Sequence, residues 1–474
     1  MDTVIASAIA ANRFGLGARP GELAQLNAPQ RWLREQLRGG PSPLAVPLPS
    51  TQHILAGAEA LADDRRAQRK ANASASELGA ADAVARQQLA MKLPAYSRPL
   101  YVADAHARLQ QLIASDRPFV ERLTLFWSNH FAVSVDKLAV LAVAGAMERE
   151  AIRPHVLGRF ATLLRAVEQH PAMILYLDNQ RSTGADAPLA VRAERRGREL
   201  GLNENLAREI LELHTLGVDG GYTQADVTAF ARVITGWSIG TGRDANQRLL
   251  TRGTPGQFLF RPELHEPGAQ QVVGRRFAPG GVAQGEAVLD MLAVHPSTAR
   301  HLATKLARHF VADDPPPALV ERLAGVWQHS GADLSQVYAA LIDAPEAWVD
   351  ATPKFKTPTD YMVSIYRGLA LPLPDGQQAL GPLEVLGQRQ FAPGSPAGWP
   401  DRSADWDGAA ALNKRIEYAN AVARRVATRM DPAELAPQLL GGTLSDATRR
   451  ALAGAATAAQ GLTLLLASPE FLRR

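Results

Sequence analysis

No cysteine occurs among the 474 residues, which excludes disulfides, thiolate zinc sites, cysteine-ligated clusters and a cysteine nucleophile. Lysine is nearly as scarce. Only seven (Lys70, Lys92, Lys137, Lys305, Lys354, Lys356 and Lys414) stand among 51 basic residues, leaving 44 arginines; beside so many alanines this reads as GC-rich coding rather than a surface built for phosphate. The formal net charge is +4, acidic residues are interspersed, and no basic run is interleaved with aromatics, so nucleic acid is not an expected partner. Long apolar runs are missing too: the longest, Leu138 to Met147, falls far short of the ~18 residues that suggest a membrane span. The opening MDTVIASAIAANRFG begins acidic and lacks the basic region of a secretory signal, so the sequence alone reads as a soluble, cytoplasmic chain. No G-x-S-x-G elbow, Walker loop or H-E-x-x-H is present. Gly15-x-Gly17 follows a helix-like segment rather than a strand, which argues against a dinucleotide site.

What is present is helical periodicity, punctuated by Gly and Pro, at an ordinary globular composition of 46% hydrophobic and 21% charged residues. The expected fold is mainly α: a large multi-helix single domain over 1–474 with its core in 11–472. Two departures from the helical texture are expected. Residues 51–93 are Ala-rich and charged without an apolar stripe, which reads as an exposed helical excursion. Residues 238–285 hold two short extended candidates, Gln257–Phe260 and Gln271–Gly274, around His265-Glu266-Pro267-Gly268, which reads as a small β-hairpin or loop insertion.

Two helices carry polar groups in improbable places. In FVERLTLFWSNHF, residues Phe119, Val120, Leu123, Phe126, Trp127, His130 and Phe131 share one face at 100° per residue, with His130 near its centre. A histidine so placed must find a hydrogen-bond partner or a metal. In NENLAREILELHTLG, Leu206, Ile210, Leu213 and Gly217 form the apolar stripe, with His214 on one border and Glu209 on the other. Glu204, Arg208 and Glu212 read as a solvated i,i+4 ladder on the far face. Three acids and a histidine in eleven residues resemble a carboxylate-rich metal helix, although Glu212 and His214 are two apart and diverge on an α-helix. The candidate catalytic residues are therefore Glu209 and Glu212, and the candidate metal ligands His130, His214 and His265, for a divalent metal. Glu209 must be paired with an arginine, bound to a metal, or protonated. Just downstream, Gly217 reads as a helix stop and Thr223-x-x-Asp226 as a capping box that folds two helices into a hairpin.

Taken in order, NRFGLGARPGEL, LFWSNHFAVS, AMILYLDN, NENLAREILELHTLGVDGGYTQADV, ITGW, the HEPG-to-VVG segment, HPSTARHLATKLARHF, FKTPTDYMVSIYRGL, PAGWPD and LLASPEF resemble a bacterial family catalogued as domain of unknown function 1800. The resemblance runs from about residue 11 to 472 and implies no established activity. It implies a genomic neighbour of the sulfatase- or phosphatase-like class, and for many relatives a periplasmic or exported location. Three positions depart from the family pattern: Ser128 replaces a usual His, His265-Glu266 replaces His-Asp, and Gln270 or Gln271 replaces a Lys. Two functions follow as expectations. One is a metal-assisted enzyme with a His/Glu site. The other is a non-catalytic helical scaffold or maturation partner of a sulfatase- or phosphatase-like protein, with the same residues as a buried polar network.

Overall fold

The computed structural model describes residues 2–40, 43–72, 78–241, 253–349 and 354–474, with backbone only over the helical stretches between 63 and 91. Helices dominate, and the strands among the described residues are four three-residue pieces. The many prolines serve as helix starts. Pro118, Pro171, Pro188, Pro296, Pro317, Pro358, Pro432 and Pro469 each open a helix, where the missing N–H has no partner to lose. His170, His295, Thr357, Asp431 and Ser468 precede five of them and accept a backbone N–H in the first turn.

Periodicity predicts helices that include 137–151 and 444–467, and the structure differs from it at several places, three of which follow. Residues 137–143 form successive tight turns before a short helix at Ala144–Met147, because Lys137 is held by the Tyr176 carbonyl at 2.9 Å and by Asp178 at 2.6 Å. The stretch expected as one helix over 444–467 divides into Asp446–Ala453 and Ala458–Leu466, interrupted at Gly454. The Pro432–Leu440 helix was not expected; Pro437 inside it masks the pattern.

The excursion near 51–93 forms the helix Thr51–Asn72 and the first part of the long helix Leu78–Ala114. The side chains of 63–91, on which its expected exposure turns, lie outside the described residues. The β insertion is real but paired differently. Strand β1 (Trp237–Ile239) pairs antiparallel with β2 (Phe258–Phe260), and β3 (Gln270–Val272) with β4 (Arg275–Phe277), so the two expected extended pieces belong to separate ladders. The second ladder is a hairpin closed at Val273-Gly274, both with positive φ, as a two-residue turn of that hand requires. Residues 242–252 of the insertion lie outside the described residues.

Two large buried clusters and a small one at Ala11, Ala18 and Leu26 form the interior among the described residues. The first gathers aromatics from distant helices, including Phe14, Phe119, Trp127, Phe131, Phe160, Phe310, Trp327 and Tyr338. The Trp127 indole N–H donates to the Tyr338 hydroxyl at 2.6 Å, and that hydroxyl donates to the Val156 carbonyl at 3.0 Å. The second lies between 355 and 472, around Tyr361, Ile365, Trp406, Leu462, Leu465 and Phe471. The helix Pro358–Gly368 is buried along its whole length and faces both, with Met362, Val363 and Tyr366 in the first cluster and Tyr361 and Ile365 in the second. It also clasps the N-terminal segment: Ser364 Oγ donates to the Leu16 carbonyl at 3.1 Å and Arg367 Nε to that of Gly17 at 2.9 Å. Asn12 Nδ2 reaches the Leu439 carbonyl at 3.1 Å, and Arg122 Nε the Gly15 carbonyl at 2.6 Å.

Candidate functional site

The carboxylate helix changes form midway. Asn205–Glu209 is α-helical, and Ile210–Thr215 continues as a π-helix, where hydrogen bonds skip one residue more. Thr215 Oγ1 reinforces the wider turn by donating to the Ile210 carbonyl at 2.6 Å. The change of pitch breaks the expected ladder. Arg208 keeps Glu204 at 3.0 Å and takes Gln224 at 3.0 Å, while Glu212 accepts from the Tyr222 hydroxyl at 3.4 Å. Glu209 is half-buried and makes no ion pair or hydrogen bond among the described residues. Burial raises its pKa, opposed by His214 and Arg208 and assisted by Glu212 and Glu168, and no guanidinium among the described residues forks onto it.

His214 turns inward and is 0% exposed. Its Nδ1 lies 2.8 Å from Glu168 Oε1, itself 0% exposed, and the imidazole N–H donates there. His130 is 1% exposed, and its Nε2 donates to the His214 carbonyl at 3.1 Å, so the two expected histidines do meet. His301 completes the group by donating from Nε2 to the Leu213 carbonyl at 3.2 Å. The His130 ring lies 5.9 Å from that of His214 and 6.4 Å from that of His301, centre to centre. Gly217 is obligatory beside them: its φ is +89°, and a Cβ would stand 2.9 Å from His301 Nδ1. Burial drives the pKa of His130 far down and that of His301 to about 4, with Lys305 adding to both, so both rings are neutral at pH 7. His130 Nδ1 and His214 Nε2 have no hydrogen-bond partner. Among the described residues, no three His, Asp or Glu side chains are grouped so as to hold a metal ion. His265 stands apart from this group. It faces Thr235, with Nδ1 3.0 Å from the carbonyl, and packs its ring on Phe260.

The opposite side of the FWSNHF helix end faces a cavity of about 90 Å³. Ser128 and Asn129 line it, together with His309, Lys354, Phe355, Thr357, Thr359, Asp360, Gln388 to Phe391, Trp399 to Asp401, and Arg474. These stretches are locked to one another by backbone contacts. Asn129 Nδ2 donates to the Trp399 carbonyl at 3.0 Å and its Oδ1 accepts from the Trp399 N–H at 2.7 Å. Gly398, with φ +84°, makes room for that clasp, since a Cβ would lie 2.3 Å from the Asn129 carbonyl. A short bridge between Phe355 and Arg473 sets Arg474 beside Lys354, whose carbonyl accepts from the Arg474 N–H at 2.9 Å.

The interior wall of the cavity is charged. Asp360 is 3% exposed and accepts from Arg122 at 3.2 and 3.3 Å, with Arg474 Nε 3.3 Å from its Oδ2. Burial alone would raise the Asp360 pKa, but Arg122 and Arg474 outweigh it, and the carboxylate is held well below the ordinary aspartate range. Lys354 pairs with Asp313 and donates to the Asp401 carbonyl. His309 Nε2 and Arg474 Nη1 are buried without hydrogen-bond partners.

Several of these groups escaped the sequence reading. Glu168 sits one turn after Leu164 on an apolar helix and looks like a helix-end acid. His301 and His309 were hidden in a helix read as packed interior. The detectable signal was lysine: two of only seven fall in the tripeptide Lys354-Phe355-Lys356.

The sequence model of one family, described as "Protein of unknown function (DUF1800)", matches residues 9–473. No curated protein and no solved structure matches the chain.

Proposed function

The chain belongs to that family, whose description carries no activity, and from its geometry we propose that it is a small-molecule binding protein whose ligand site is the cavity beside Ser128 and Asn129. One observation carries this reading. Side chains far apart in sequence, among them Ser128, His309, Phe355, Gln390, Trp399 and Arg474, converge on one space, and His309 and Arg474 carry buried polar atoms that lack partners. Proteins rarely leave such atoms unsatisfied away from a ligand or water. The lining mixes Phe355, Phe391, Trp399 and Trp406 with a few fixed polar groups, the usual composition of a ligand pocket.

The test is to fill the cavity. Native protein, Ser128→Ala and Ser128→Phe are melted against a panel of metabolites. Stabilisation of the first two by some compound and its loss in Ser128→Phe is the expected result. A Ser128→Phe protein that responds as the native chain does overturns the reading.

The burial of His130 and His214 favours a second reading for the other cluster. There the His/Glu group is a structural network of a scaffold, with a sulfatase- or phosphatase-like protein as its partner. Under a metal-assisted enzyme reading, Glu209, Glu212, His130, His214 and His265 would act with a divalent metal. Metal content of the purified protein, with and without Glu209→Gln, separates the two.

A further inference from the structure

Resting on the cavity as a ligand site, we propose that its occupant carries a compact oxyanion, a carboxylate or phosphate group, received by the Arg474 guanidinium. The argument is one of charge. Arg122, Arg474 and Lys356 are 1%, 3% and 1% exposed, and among the described residues the side-chain carboxylate buried with them is Asp360. Asp360 serves both guanidiniums. Lys356 forms no ion pair, and its ammonium rests 4.3 Å above the Phe471 ring. Lys354 is already neutralised by Asp313, Arg108 by Glu148 and Arg389 by Asp136. Asp401, in the wall, is half-buried and makes no ion pair among the described residues, and its charge acts on Arg474 from a distance.

Buried cationic side chains thus outnumber buried anionic ones here, a condition relieved when a counter-charge arrives or a group gives up its proton. The titration of these groups agrees. Burial, with Arg122 adding and Asp360 opposing, brings Arg474 down to about 9, and burial brings Lys356 down to about 7. Of the two guanidiniums on Asp360, only Arg474 lines the cavity, and its Nη1 is unpartnered. The planar fork of arginine matches carboxylate and phosphate oxygens, which a spherical halide does not exploit. His309 lines the same space with its Nε2 unpartnered, and burial holds that ring neutral, so on a small shift of the ring it can donate to or accept from a second oxygen. The occupant is small because the space is.

The experiment uses the full chain and measures thermal unfolding in about 10 mM sodium phosphate, sodium acetate or sodium chloride at matched ionic strength, below the range of general salt exclusion. Phosphate or acetate is expected to raise the midpoint by about 3–5 °C over chloride, and which one does so identifies the group. Arg474→Met is expected to lose that increment. Asp360→Asn, which strips both guanidiniums of their carboxylate, is expected to show a larger increment than the native chain. Equal effects of all three salts, or an increment that survives Arg474→Met, overturn the proposal. Should Asp360→Asn fail to fold, calorimetric titration of phosphate and acetate into native and Arg474→Met protein decides. A neutral compound that stabilises in a Ser128→Phe-sensitive way, without any oxyanion effect, rejects the oxyanion and keeps the cavity. No response to any compound rejects both.

Discussion

A histidine in the middle of an apolar helix face can be satisfied by a metal, a side chain or a main-chain carbonyl, and His130 takes the carbonyl of His214. Its burial and its link to the 203–217 helix were legible, because the face it lies on is apolar on both sides. The identity of its partner atom was not, since a carbonyl leaves no mark in the side-chain pattern. His130→Ala should cost more than ~2 kcal/mol in denaturant unfolding, from the void and the orphaned carbonyl. His214→Ala should cost about 3–5 kcal/mol, because Glu168 would be left buried without its donor. Lys356 has the opposite sign. Its pKa in the fold is about 7, against an ordinary ~10.4, so between those values the unfolded chain holds the proton and the folded chain does not. Stability from this group therefore rises with pH over that window, and its penalty is full below pH 7. Lys356→Met, of similar length, should stabilise the protein by about 1–3 kcal/mol at pH 7, and by clearly less at pH 9.5, in parallel urea titrations. The groups that set this behaviour are Asp360, Arg122, Arg474 and Arg415.

At the scale of elements, the capping box was readable because it is local chemistry. Thr223 Oγ1 accepts from the Asp226 N–H at 3.3 Å, and Asp226 Oδ2 accepts from the Thr223 N–H at 2.8 Å. The second duty of Asp226 was not readable: Oδ1 accepts from the Val273 N–H at 2.7 Å and so ties the β3–β4 turn to the helix Gln224–Val233. Asp226→Ala should therefore cost about 1–2 kcal/mol, and hydrogen exchange should quicken at Val273 as well as in the first turn of that helix. Exchange that changes at the helix alone would separate the two elements. The π segments at Ala10–Phe14, Glu148–Ile152 and Ile210–Thr215 mark where reading at 100° per residue stops working. Glu212 was placed on a far-side ladder with Arg208 by α spacing, and the wider turn carries it to Tyr222 instead.

For the molecule as a whole, the helical class was legible from periodicity, since each amphipathic stripe reports its own burial. The cavity was not, because it belongs to no single element: its walls come from residues 108 to 474 and meet only when the two clusters close on the helix Pro358–Gly368. That helix sets an order in time. The Leu16 and Gly17 carbonyls are taken up by Ser364 and Arg367, and the Arg367 contact spans 350 residues. At a synthesis rate of ~5–20 residues per second, this segment waits roughly 20–70 s on the ribosome before that mate emerges. Asn12 waits longer, for Leu439. Residues 9–17 thus gain their last hydrogen bonds late, and until then they have only earlier partners, Phe119 against Phe14 and Arg122 on the Gly15 carbonyl, leaving the rest of their apolar surface open to a chaperone.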